Sequence, residues 1–151
     1  TRSTTRVYEI REGASPSALK KLKPLLTLYR QMDGYPTGHG ADLANFIHDM
    51  TIVNGFGFGD NTNKANGAGC FAAKLIAHLK NGIGGIYVYP HDAAKQDYNY
   101  HIYVEAENRR LNNPRTSQII VRVEDWKGKK LFQGGRDEYV AWIAAEATKD
   151  D

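Results

Sequence analysis

Cysteine occurs once in 151 residues, at Cys70, so no internal disulfide can form and a disulfide-stapled secreted fold is excluded. Long apolar runs are missing as well. Lys or Gly interrupts each stretch within about ten residues, short of the roughly 20 that a membrane-spanning helix needs. No charged segment followed by an apolar one opens the sequence, so a protein without a secretory signal, working in the cytoplasm, is expected. Serine is confined to Ser3, Ser15, Ser17 and Ser117, none of them in a Gly-x-Ser-x-Gly elbow, which argues against serine hydrolase chemistry. A His-Glu-x-x-His pair, a Walker loop and a dinucleotide-binding glycine pattern are all absent. The expectation is a protein with no catalytic residues, no metal and no cofactor.

What is present begins with tyrosine, nine residues against five Phe and two Trp. Tyr combines large contact area with a polar tip and suits half-exposed sheets and binding surfaces. Net charge is +3. The basic clusters Lys20-Lys21 with Lys23, Arg109-Arg110, and Lys127 with Lys129-Lys130 are the places where nucleic acid would be touched, a weaker expectation than a protein partner at so small a net charge.

Periodicity divides the chain into alternating and helical stretches. Residues 4–10 alternate, with Arg6, Tyr8 and Ile10 on one face, and residues 25–31 read as a second strand after Pro24. Residues 39–50 place Leu43, Phe46, Ile47 and Met50 on one helical face, and residues 67–81 place Phe71, Leu75, Ile76 and Leu79 on another, with Asn66 as its N-cap. Strands follow at 84–90, 98–105 and 118–123, with a short fourth at 129–132. Polar residues 91–97 read as a hairpin-like turn between the first two. Gly134-Gly135 reads as a break before a last helix, whose apolar side is Tyr139, Trp142, Ile143 and Ala147. The predicted order is ββαα-βββ(β)-α: a single α+β domain over 1–151 with frayed termini, its antiparallel sheet carrying helices mainly on one face.

Two segments stand out as candidate sites. The first is the glycine-rich loop at 54–66 with Phe56 and Phe58, leading into a helix start where Lys64, Asn66, Gly67 and Gly69 can present N–H groups and a cation to a phosphate. The second is the turn Asp33-Gly34-Tyr35-Pro36-Thr37-Gly38-His39-Gly40. Asp33, His39 and Asp42 resemble a small acid/base or metal set, but without metal-ligand spacing, and a structural turn capped by Asp33 is the plainer reading. Tyr87, Tyr89, Tyr98, Tyr100 and Tyr103 form a third feature, an aromatic stripe.

The 33–40 turn, together with Asn66-Gly67-Ala68-Gly69-Cys70 and the closing Leu131-Phe132-Gln133-Gly134, resembles small uncharacterised proteins of bacteriophages and bacteria. That resemblance implies a small accessory protein, in the host cytoplasm if phage-encoded. The functional expectation is a non-enzymatic binding protein that recognises a host or viral protein through Asp33, Tyr35, His39, the glycine loop and exposed Tyr such as Tyr100. The alternative is a nucleotide- or phosphate-binding protein, for sequestration or hydrolysis, using residues 64–69. Neither reading involves a membrane.

Overall fold

The computed structural model describes residues 1–10, 21–53, 62–105 and 118–149. Strand β1 (Ser3–Ile10) is followed by β2 (Leu26–Arg30) and a single π-helical turn, Pro36–Gly40, that runs directly into helix α1 (Ala41–Ile47). Two short strands, β3 (Thr51–Val53) and β4 (Lys64–Asn66), precede helix α2 (Gly67–Leu79). Strands β5 (Ile86–Tyr89), β6 (Tyr98–Glu105), β7 (Gln118–Asp125) and β8 (Lys130–Gly135) then lead to helix α3 (Arg136–Lys149).

The fold is α+β. Six strands form one sheet in the order β5-β2-β1-β6-β7-β8, and β3 pairs with β4 in a small sheet of its own. Register assigns the faces. Val7 lies level with Leu26 and Ile102, and Ile102 with Val121, so one row of apolar side chains crosses four strands. The parallel row Leu28–Thr5–Tyr100–Val123 lies beside it. The helices close over these rows with Leu43, Ile47, Phe71, Leu75, Tyr139 and Ile143, all buried. Each such side chain contributes about 1.5–3 kcal/mol on leaving water.

The helical faces follow the periodicity: Leu43, Phe46, Ile47 and Met50 are buried, while Asn45, His48 and Asp49 are exposed. The last helix starts where its charge predicts, and Glu138 accepts a hydrogen bond from the Gly135 N–H at 2.8 Å, satisfying an N-terminal donor.

Several expectations change. β1 pairs in parallel with β6 while every other neighbour in the large sheet is antiparallel, so the sheet is mixed. Residues 91–97 do not close a hairpin: β5 lies on the outer edge of β2, and residues 90–97 cross to β6 over the face of the sheet away from the helices. Side chains hold this crossing. Arg6 Nη2 donates to the Ala93 carbonyl, Lys95 meets Glu124 at 3.1 Å, and Asn99 Nδ2 donates to the Gln96 carbonyl at 2.9 Å. The predicted loop ends in a strand, because residues 64–66 pair with β3; its residues 54–61 lie outside the described ones. Gly134 and Gly135 belong to β8 opposite Val121 and Ile120, since antiparallel pairing continues up to the helix. Ala147 is exposed, and the buried side of α3 is Tyr139 and Ile143. Asn66 makes no side-chain cap to α2; its φ of −86° and ψ of 82° lie off the extended geometry usual for a capping residue.

Candidate functional site

The 33–40 turn is built by backbone geometry. Asp33 has φ +58°, a left-handed conformation that Asp tolerates better than most residues. Its carbonyl accepts from the His39 N–H at 2.8 Å, and the Tyr35 carbonyl accepts from the Gly38 N–H at 2.9 Å. A Cβ at position 38 would lie 2.4 Å from the Asp33 oxygen, so only glycine fits.

This turn drives the His39 ring into the core, where it is 1% exposed and meets Tyr100 edge-on with centroids 5.0 Å apart. Arg30 Nη1 lies 3.2 Å from His39 Nδ1, and a guanidinium can only donate. Nδ1 is therefore the lone-pair nitrogen, and Nε2–H donates to Thr5 Oγ1 at 2.6 Å. Burial holds the His39 pKa down to about 3, and the Arg30 charge adds to it. The imidazole is thus neutral, and with both nitrogens occupied it is neither a metal ligand nor a general base. Tyr100 is fully buried and donates to the Gly34 carbonyl at 2.7 Å, tying β6 to the turn.

Outside this buried knot lies a cleft of about 450 Å³. The helices stop short of β5, and the uncovered strip of sheet becomes the floor, with Arg30 and Ile86. One wall is Asp42 and Asn45 of α1; another is His78 and Leu79 at the end of α2; Asp33, Met32 and the 81–85 loop complete it. Arg30 is spent inside the structure, donating to Asp42 Oδ2 at 2.6 Å and from Nε to the Met32 carbonyl at 2.7 Å. Asp33 and Asp42 are the acidic residues of the lining, and Lys80 Nζ lies beside it, donating to the Gly84 and Ile86 carbonyls at 2.9 Å.

Beside the cleft the surface is apolar. Among the described residues eight large hydrophobic side chains are exposed, and six of them, Leu25, Met32, Ile83, Tyr87, Val88 and Tyr89, lie along the β2–β5 margin. Tyr29 stacks on Tyr89 with centroids 4.6 Å apart, which stiffens this margin. The predicted aromatic stripe is therefore divided: Tyr87 and Tyr89 are at the edge, Tyr100 is in the core, and Tyr103 stacks on Tyr8 at 4.6 Å on the second face.

The other predicted residues are placed apart. Asp33 and Tyr35 sit together at the surface of the turn, with the Tyr35 hydroxyl 3.3 Å from Asp33 Oδ1. Lys64, Asn66, Gly67 and Gly69 lie at the start of α2, whereas His78 and Leu79 line the cleft at its end, about 15 Å away at 1.5 Å per residue. Gly67 has φ +75°, which explains the glycine there; at Gly69 a Cβ would meet nothing within 4 Å among the described residues. Lys74 braces this start, donating to the carbonyls of Thr62 at 3.0 Å and Lys64 at 2.8 Å.

One cluster escapes the sequence reading. On the second face Tyr8 and His101 Nδ1 are 2.7 Å apart, and His101 Nε2 lies 2.7 Å from Glu124 Oε1. A carboxylate has no proton to give, so Nε2–H donates to it, while Nδ1 is hydrogen-bonded to the Tyr8 hydroxyl. The His101 hydrogen bond holds the Glu124 carboxyl down to about 2 against the opposing effect of burial, with help from Lys95. Arg122 adds contacts at 3.2 and 3.3 Å. Alternation already puts Tyr8 on one face of its strand and His101 on one face of another; the parallel pairing that joins those faces has no local signal. Among the described residues no group of three or more His, Cys, Asp or Glu is placed to hold a metal ion.

No protein-family model, no curated protein and no solved structure matches the chain.

Proposed function

We propose that this is a non-enzymatic binding protein that recognises a partner protein through the β2–β5 margin and the adjoining cleft. The observation that carries the reading is the concentration of six exposed large hydrophobic side chains on one edge of the sheet. Exposed large hydrophobic side chains concentrated in this way mark interfaces, and Tyr and Met are among the residues enriched there. β5 is an edge strand with Tyr87 and Tyr89 on one face and Val88 on the other, so it offers main-chain groups and side chains together, as strand-addition interfaces do. The 33–40 turn enters as scaffold: it locks Arg30 and Asp42 into the cleft wall and leaves Asp33 and Tyr35 at the surface. Among the described residues no helix is long and apolar enough to cross a membrane. The resemblance to phage and bacterial proteins makes a host or viral protein in the cytoplasm the partner sought.

The test is affinity capture with the wild-type chain and with Val88→Lys, Tyr87→Ser and Lys64→Ala. Partners lost with both edge variants and kept with Lys64→Ala support the margin as interface. Partners kept by both edge variants overturn it. Phosphate or nucleotide binding that disappears in Lys64→Ala would instead support the ligand alternative at the start of α2.

A further inference from the structure

A second concave surface lies away from the β2–β5 margin. It is a groove of about 810 Å³ between the C-terminal half of α3, the first residues of β8 and the π-helical turn. Trp142, Glu146 and Lys149 stand at i, i+4 and i+7, so one face of α3 forms one wall. Lys129 and Lys130 form the other, and Tyr35 and Tyr98 close the end. Trp142 is backed by Phe132, with centroids 5.1 Å apart and planes 25° from parallel, which fixes the indole at the groove.

The charge is one-sided. Glu146 is engaged by Lys149 at 3.0 Å, while Lys129 and Lys130 enter no ion pair among the described residues. With Lys149 engaged by Glu146, these are the two lysines of the lining without an ion pair among the described residues, and Tyr35, Tyr98 and Trp142 share the groove with them. Lysines match phosphates, and aromatic faces match unstacked bases, which a duplex does not present. A run of acidic residues alone, such as polyglutamate, would use the lysines and leave the rings without a matching surface.

We propose that this groove binds single-stranded nucleic acid, with Lys129 and Lys130 on the phosphates and Tyr35, Tyr98 and Trp142 against the bases. This function is separate from the margin of β5 and does not depend on it.

The test uses fluorescence anisotropy with labelled oligo-dT and oligo-rU of twelve nucleotides. Two neutralised phosphates predict a log–log salt slope of about −1.4, roughly a seven-fold loss of affinity between 50 and 200 mM salt. Lys129→Ala and Lys130→Ala, at exposed positions, each reduce that slope by about 0.7. In a Trp126→Phe background, oligonucleotide quenches the Trp142 fluorescence. Binding whose slope is unchanged in the lysine variants overturns the proposal, as does an oligonucleotide that fails to bind at 50 mM salt. Binding of polyglutamate as tight as that of the oligonucleotide, without quenching, also overturns it and assigns the groove to acidic peptides. Val88→Lys leaves all these readouts unchanged, so failure here and failure of the protein-partner reading are distinguishable.

Discussion

At the scale of single residues the 33–40 turn separates two kinds of glycine. Gly38 is fixed by an oxygen that a Cβ would overlap, and Gly38→Ala is expected to cost at least about 2 kcal/mol. Gly69 sits in the first turn of α2, where a Cβ would meet nothing within 4 Å among the described residues, and Gly69→Ala is expected to stabilise by about 0.5–1 kcal/mol. Urea denaturation of the two variants checks both signs. His39 supplies a pH dependence. Its folded pKa of about 3 lies below the ordinary 6.5, so the unfolded chain takes up a proton first as pH falls. Stability is whole above pH 6.5 and declines towards pH 3, by up to about 1.4 kcal/mol per pH unit. In His39→Gln the decline over that window is expected to flatten, read as the urea midpoint against pH. The sequence marks Asp33 and His39 as special by their company of glycine and proline. It does not show that His39 points inward, because its partners Thr5 and Arg30 come from two strands that local spacing cannot bring together.

At the scale of elements, the second face of β1, β6 and β7 carries a charged network that a sheet covered on one side would leave in water. The 90–97 crossing shields it. Glu124 has a folded pKa of about 2 against an ordinary 4.5, so its contribution is present above pH 4.5 and is lost as pH falls towards 2. Glu124→Gln is expected to remove up to about 3 kcal/mol at neutral pH and to make the decline below pH 4.5 shallower, leaving the share that His39 contributes, which thermal melts at pH 7, 4 and 3 resolve. Element by element, the chain was legible where periodicity is strong. β6 matches its predicted span residue for residue, α1 buries its predicted face, and α2 buries Phe71 and Leu75 of its predicted face while Ile76 and Leu79 stay half-buried. It was opaque where pairing is non-local. β3 and β4 have three residues each, too few for alternation to register, and they form only because residues far apart in the chain meet in parallel. The β5–β6 hairpin was the natural guess for two strands with a short polar link, and Pro90, the anchor of Arg6 on Ala93 and the open edge of β2 decide otherwise.

At the scale of the whole molecule, the first strand in sequence is a central strand in space. β1 is flanked by β2 and β6, and Thr4 bonds to Asn99 across 95 positions at 2.6 Å. Folding must bring these distant segments together before the sheet exists, so refolding on the millisecond-to-second scale is expected, typical of non-local topologies. Stopped-flow tyrosine and tryptophan fluorescence measures it, and a microsecond refolding phase carrying the full amplitude would contradict it. The crossing at 90–97 has a consequence for how the native state opens. β5 touches the sheet along one neighbour only, and its continuation is the covering of the second face. The edge and its covering therefore come away as one cooperative unit. In native-state hydrogen exchange, the amides of β5 and of residues 98–99, whose bonds the crossing shelters, share an opening free energy well below the global value, while those of β1 and the middle of β6 exchange only with complete unfolding.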